Sequence, residues 1–317
     1  MLESWFWVEE LLDFSDFEQA HVVPYCSKVA YEALQIMRHV IITSSDKKYG
    51  DFLIHQWLRS LKINVDLSDI DVVVIDYGLT EEHIALLQKN NVKVIRGSGV
   101  GHVTTLRFID AGLFLKQAAY DQVLFIDSGD LTFQEDISQL FEQDKDSFRI
   151  VKLDMEVMFF EAFISRFSMP FRKQLWKVLK NKPVLNAGVI FVQKHKFLSL
   201  CKQMKTLILQ KHAYGPDQII VNYILYQDTI KFLEKKYNFI FGTEREGFII
   251  RDGIFYRKNG EKIVIAHNAG HDSFLRPIGN FGYGRGYNEV KYGIYYGRRM
   301  IFSIFRFVRV LQQLLSI

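Results

Sequence analysis

Short apolar runs alternate with stretches of helical spacing through the first half of the chain. His39 to Asp46 (HVIITSSD) reads as a strand, and YGDFLIHQWLRSLKI after it carries Phe52, Trp57, Leu58 and Leu61 near helical spacing. Val72 to Ile75 make a second strand leading into Asp76. Thr80 then stands as a helix N-cap before Glu81 and Glu82, acids that suit the positive end of the helix dipole. NVKVIRG supplies a third strand. The glycine-rich loop RGSGVGH opens the helical stretch VTTLRFIDAGLFLKQAAY, which ends at a fourth strand, Val123 to Ile126. Strands regularly separated by helices predict an α/β fold with a doubly wound parallel sheet joined by right-handed crossovers.

The second half changes period. FRIVKLDMEVMFF and PVLNAGVIFVQ read as strands, and YGPDQIIVNYILYQ as a helix started by Pro216. GFIIRDGIFYRKNGEKIVIAHNAG reads as a hairpin turning at Asn259 and Gly260. A mixed sheet is therefore expected to continue the parallel one. No proline- or serine-rich linker and no internal repeat separates the halves. The expected organisation is an acidic, aromatic lead-in over residues 1–37, an α/β domain over 38–284 and a basic tail over 285–317.

Composition narrows this picture only slightly. The chain has 317 residues, 49% hydrophobic and 24% charged, with a net charge of +4, so it has the makings of a substantial core and no global electrostatic case for nucleic acid. Its two cysteines, Cys26 and Cys201, lack metal-ligand spacing and read as core thiols of a reducing compartment. The N-terminus, interrupted by Glu9, Glu10 and Asp13, does not have the pattern of a signal peptide, and no apolar run reaches the ~20 residues that span a bilayer. A cytoplasmic location is expected.

Candidate chemistry gathers at strand ends. The apolar run at Val123 to Ile126 stops on Asp127, Ser128, Gly129 and Asp130, and two other strands end on Asp46 and Asp76. Ligands of open α/β sheets bind beyond the carboxyl ends of the strands, where paired carboxylates suit a hard divalent cation holding a phosphate; an acidic surface turn is the plainer reading. Asn186 interrupts PVLNAGVIFV where asparagine is disfavoured, a local conflict that hints at function. His267 directly follows an apolar run, with His271 close behind. Asp217 follows Pro216 in a first helical turn, a position the dipole alone would favour.

The order of nucleotide-binding half, DSGD, LNAGVIFV, GPDQIIVN and IAHNAGH resembles the GT-A glycosyltransferases, especially the retaining group of glycogenin and the lipopolysaccharide galactosyltransferases, over roughly Arg38 to His271. The resemblance implies a metal-dependent transfer of a hexose from a nucleotide sugar, expected to be a UDP-sugar, to a saccharide or glycolipid acceptor in cell-surface glycan synthesis. Asp127 and Asp130 look like the family's Asp-x-Asp ligands of Mn²⁺ or Mg²⁺, with His267 as the later third ligand; oxygen ligands with one imidazole suit Mn²⁺ better than Zn²⁺. Thr43, Ser44, Asp46, Asp76 and Tyr77 would take base and ribose, with Arg107 and Ser128 also on the donor. Asn186 and Gly188 resemble the Asn-x-Gly beside the donor sugar, and Asp217 and Gln218 the Asp-Gln under the reacting carbon. Two residues separate the acids here where the family has one, leaving open a full metal site, a site in which Asp127 alone binds metal, or a non-catalytic nucleotide- or glycan-binding homologue. FIDSGDLT also resembles the loop of aspartate phosphatases, but the residue two after Asp127 is Gly129 rather than Asp.

The tail YYGRRMIFSIFRFVRVLQQLLSI is amphipathic at about 100° per residue. Arg298, Arg299, Arg306 and Arg309 share one side with Gln313 and Ser316, while Met300, Ile301, Ile304, Val308, Leu311 and Leu315 take the other. The favoured reading is an interfacial helix on an anionic membrane surface, in keeping with the basic, aromatic tails of similar lipopolysaccharide enzymes; a terminal helix packed on the core is the alternative. The expected protein is peripheral to the inner face of the membrane.

Overall fold

A computed structural model describes residues 38–156, 164, 167–209, 212–270 and 273–314. The lead-in over 1–37, Cys26 and His271 lie outside these residues. The element order is β1 (Arg38–Ser45), α1 (residues 50–64), β2 (Ile70–Asp76), α2 (Glu81–Lys89), β3 (Lys93–Arg96), α3 (Val103–Lys116), β4 (Tyr120–Ile126) and β5 (Leu131–Phe133). It continues through β6 (Phe148–Ile150), β7 (Lys152–Glu156), α4 (Met169–Leu179), β8 (Pro183–Leu185), β9 (Val189–Gln193), α5 (Lys194–Leu207) and α6 (Pro216–Leu225). The last elements are β10 (Ile230–Phe232), β11 (Phe239–Ile240), β12 (Phe248–Arg251), β13 (Ile254–Arg257), β14 (Ile265–His267), β15 (Ile278–Gly279), β16 (Glu289–Val290) and α7 (Tyr292–Leu314).

The main sheet has the strand order β10-β6-β9-β4-β1-β2-β3. β4, β1, β2 and β3 run parallel, and β9 pairs antiparallel with both β4 and β6. The parallel half and its mixed continuation are thus as the sequence predicts. Each buried strand is apolar on both faces because helices cover both. Ile42, Val73 and Phe125 pack with Phe108 of α3 and Phe197 of α5, while the alternate residues Ile41, Val74 and Leu124 pack with Trp57 and Leu61 of α1. Cys201 is buried in the first of these layers, and a Cβ on Gly112 would stand 2.8 Å from the Cys201 Cβ, so glycine there lets α3 and α5 approach closely. Thr80 caps α2 by accepting the His83 N–H at 3.2 Å.

Three expectations are corrected. PVLNAGVIFVQ is not one strand: β8 pairs with β7, β9 pairs with β4, and Asn186 with a turn at Ala187 and Gly188 separates them. The expected single hairpin is two reversals: β12–β13 turns at Asp252–Gly253, where Arg251 pairs with Ile254 and both turn residues take positive φ, 50° and 76°, and the chain turns back again at Asn259–Gly260, as expected, with Tyr256 bridging Lys262 antiparallel. Asn259 and Gly260 make a later turn, with the Gly260 N–H donating to Arg257 O at 3.0 Å.

The third correction concerns α7. Three of its arginines turn to the body of the protein rather than forming a free basic face: Arg298 donates to Ala269 O at 2.8 Å, Arg299 to Arg245 O at 2.7 Å, and Arg306 to Asp154 O at 3.3 Å. The guanidinium groups donate to backbone carbonyls, two in loops and one in β7, and the apolar residues Met300, Ile301, Ile304, Val308 and Leu311 are left exposed. Among the described residues, no helix is long and apolar enough to cross a membrane.

Candidate active site

The site forms where β4 stops. The Asp127 N–H donates to Gly188 O at 2.9 Å, and the Asp127 carbonyl accepts from the buried Trp57 indole at 3.0 Å. Ser128 turns its hydroxyl onto Ser44 O at 2.7 Å, which ties the turn to the end of β1. Gly129 lies against the Tyr49 ring, where a Cβ would stand 3.0 Å from a ring carbon. The chain then enters β5, which pairs antiparallel with β14 in the register His267 opposite Leu131. That register sets His267 beside Asp130.

Asp127, Asp130 and His267 each present a ligand atom, all within 4.8 Å of one another. His267 Nε2 stands 3.3 Å from Asp130 Oδ1 and 3.9 Å from Asp127 Oδ2. The longer Asp-Ser-Gly-Asp turn therefore still brings both acids to the histidine. Two carboxylates and one imidazole, nearly buried, make an oxygen-rich donor set that fits Mn²⁺ or Mg²⁺.

Two arginines flank the trio. Arg107, from α3, bonds to Asp127 Oδ1 and lies over the Phe108 and Phe125 rings, 5.3 and 5.1 Å from their centroids. Burial works against its charge, but Asp127, Asp217 and Asp130 more than compensate and hold its pKa above the ordinary arginine value. Arg276 bonds Asp130 Oδ2 at 3.0 Å and donates to Gly129 O at 3.0 Å. Burial alone would push the Asp130 carboxyl up; His267 in its protonated form, Arg276 and Arg107 outweigh it and hold that carboxyl below the usual range.

Asp217 sits in the first turn of α6, behind the positive-φ Gly215 and Pro216. Burial pushes its carboxyl up, opposed by Arg107 and by a hydrogen bond with Thr104. Gly188 borders the same space: a Cβ there would stand 2.6 Å from Asp127 Oδ2 and 2.9 Å from a His267 ring carbon. Asn186 Oδ1 accepts from the Gly188 N–H at 3.0 Å and from Asn238 Nδ2 at 2.9 Å, and Asn238 Oδ1 meets His267 Nδ1 at 2.8 Å. Gln218 spends its amide on the chain, accepting from the Ala187 N–H at 3.1 Å and donating to Leu185 O.

The remaining candidates line the ends of β1 and β2. Thr43 is buried and its hydroxyl has no hydrogen-bond partner among the described residues. Asp46 accepts from the Tyr49 N–H at 3.2 Å. Asp76 Oδ1 accepts from the Gly78 and Leu79 N–H groups at 2.7 and 2.6 Å. Tyr77 donates to Asp110 Oδ2 at 2.6 Å, and burial together with that carboxylate pushes its phenol up. Asp110 also accepts from the Ser98 N–H at 2.9 Å, which anchors the glycine-rich loop.

Asp110, Asn238 and Arg276 are the contributors that sequence reasoning missed. Arg276 had a signal, a basic residue beside Pro277 shortly after His267. Asn238, inside KKYNFI, had none.

No protein-family model and no curated protein sequence matches the chain. Among solved structures, it is similar to the galactosyltransferase LgtC in complex with donor and acceptor sugar analogs, with a TM-score of 0.51 at 16% identity over 78% of this chain and 92% of that one. It is also similar to the apo structure of the bifunctional glycosyltransferase WbbM, with a TM-score of 0.52 at 19% identity over 75% of this chain and 47% of that one. At these identities the likeness shows the fold, which is the GT-A fold of glycosyltransferases.

Proposed function

We propose that this chain is a divalent-cation-dependent glycosyltransferase that moves a hexose from a UDP-sugar to a saccharide or lipid-linked acceptor at the cytoplasmic membrane surface. The observation that carries this reading is the convergence of Asp127, Asp130 and His267 at the end of β4. A GT-A fold shared with the galactosyltransferase LgtC supports sugar transfer as the chemistry. Mn²⁺ or Mg²⁺ held by these three residues would act as a Lewis acid on the leaving diphosphate.

The charge balance fits that task. Asp127, Asp130 and Asp217 oppose the guanidinium groups of Arg107 and Arg276, leaving one net negative charge that a divalent cation reverses to the sign a diphosphate needs. Arg107 holds the Asp127 carboxylate in place and would face the donor. Asp217 would stabilise the positive charge that develops on the donor's anomeric carbon, and Asn186 would face the sugar across Gly188. Gln218 would act with them by fixing the turn between β8 and β9. Thr43, Ser44, Asp46, Asp76 and Tyr77 would receive base and ribose, the buried Thr43 hydroxyl having no partner among the described residues, and Ser128 would hold the turn beneath the diphosphate.

The membrane part of the reading rests on α7, whose exposed apolar side suits the interfacial region of a bilayer and a lipid-borne acceptor. Calorimetric titration with UDP, with and without Mn²⁺, followed by assay of UDP release from UDP-sugars, tests the whole. Metal-dependent UDP binding and turnover that Asp127→Ala abolishes are expected. Absence of nucleotide binding under all conditions overturns the reading, and binding without turnover makes the protein a nucleotide-binding homologue instead.

A further inference from the structure

We propose that Asn238 and Asn186 are positioning residues that fix the tautomer of His267 and thereby aim its Nε2 lone pair at Asp127 and Asp130. The chain of donors and acceptors begins at a backbone group that can only donate. The Gly188 N–H meets the Asn186 side chain at 3.0 Å, so the atom it meets is the amide oxygen. Asn238 approaches that same oxygen at 2.9 Å and must bring its NH₂ to it. Its own oxygen then faces His267 Nδ1 at 2.8 Å and can only accept, which places the imidazole proton on Nδ1.

A neutral imidazole carries one N–H. With it on Nδ1, Nε2 presents a lone pair to carboxylate oxygens at 3.3 and 3.9 Å, and three acceptors converge with no donor among them, the arrangement a cation completes. The reversed Asn238 amide would instead put a proton on Nε2 and spend it on Asp130. Asn238 and His267 are both buried, so water does not compete for either bond. The relay also divides Asn186: its oxygen serves the metal side, and only its NH₂ remains for the donor.

This inference rests on the proposed metal site for the use made of the lone pair, while the tautomer itself is measurable without metal or activity. Long-range ¹H–¹⁵N NMR of the histidine-labelled full chain, with the His267 signal identified by its loss in His267→Gln, should show the Nδ1–H tautomer at a pH where the ring is neutral. An Nε2–H tautomer overturns the proposal whatever the variants do. Mn²⁺ titration followed by EPR should show Asn238→Ala binding the ion roughly 10–100-fold more weakly, the usual cost of losing such an outer partner. Asn186→Asp keeps the accepting oxygen and should keep both the tautomer and at least wild-type Mn²⁺ affinity, whereas Asn186→Leu should lose both. Loss of affinity in Asn186→Asp would refute the relay. A wild-type chain that binds no Mn²⁺ would refute the proposed function and leave the NMR result to judge the tautomer alone.

Discussion

Gly188→Ala is a one-methyl test of the site. The added Cβ would stand 2.6 Å from Asp127 Oδ2, 2.8 Å from Asn186 Oδ1 and 2.9 Å from His267 Cε1, so one of these groups must move. Asn186 and His267 are tied into the amide relay, and His267 is buried; the Asp127 side chain, 28% exposed, has the most room to yield, against the hold of Arg107 on its Oδ1. Overpacking of this kind costs about 1–3 kcal/mol. In the metal-free protein Asp127 relieves part of it by shifting toward solvent while keeping Arg107, so the melting temperature should fall only modestly. In the metal-bound protein Asp127 must return, so the cost falls on affinity, about 5–150-fold weaker Mn²⁺ binding. EPR titration of Mn²⁺ together with thermal melting of the apo protein measures both halves. Unchanged Mn²⁺ affinity, or a large drop in apo stability with affinity intact, would refute the assignment of Asp127 as a ligand crowded by position 188.

Arg107→Met removes the partner of buried carboxylates and should destabilise the chain by about 3–5 kcal/mol in chemical denaturation at neutral pH, with Arg107→Lys a poor substitute for the stacked fork; wild-type stability in Arg107→Met would contradict it. Glu244, buried beside Lys235 and Asp154, has its carboxyl pushed by burial from 4.5 up to about 7. The folded state therefore binds more protons than the unfolded one between those values, so this group's stabilising contribution is complete below about 4.5 and lost as pH rises through about 7. Denaturation curves across that range should show Glu244→Gln gaining on wild type as pH rises, by at most roughly 3 kcal/mol; parallel curves would count against the shift. Ile304→Glu on the exposed side of α7 should lower sedimentation with anionic vesicles about tenfold or more while leaving the melting temperature alone, because burying an isoleucine contributes about 1.5–3 kcal/mol; undiminished sedimentation would remove α7 from the membrane contact.

Much of the fold was legible because the signals are local. Continuous apolar runs at Val40–Ile42, Val72–Ile75 and Val123–Ile126 mean burial on both faces, and Thr80 caps α2 through its own side chain. What failed was decided by competition. Asp252–Gly253 and Asn259–Gly260 are both turn signals and both reverse the chain, but only strand register shows that the longer pairing, β12 with β13, forms across the first. Asn186 marked a conflict within an apparent strand, but not that the strand would break there and hand its two halves to different partners. On α7 the amphipathic pattern correctly separated two sides; only the carbonyls of distant loops determined that the arginines turn inward. Asn238 and Arg276 stayed hidden for the same reason, since each matters through atoms far away in sequence.

The extra residue in Asp-Ser-Gly-Asp has a consequence for how such sites diverge. Its two acids are pinned by separate parts of the chain, Asp127 by Gly188, Trp57 and Arg107, and Asp130 by His267, Arg276 and the Asn268 N–H. The two residues of the turn between them are held by contacts of their own, Ser128 folding onto Ser44 and Gly129 tucking under Tyr49. A spacing-based search that demands a single residue between the acids would pass over this protein. The feature that tolerates such drift, and that a search for remote relatives should follow, is the pairing of the strand after the second acid with the strand that ends in histidine.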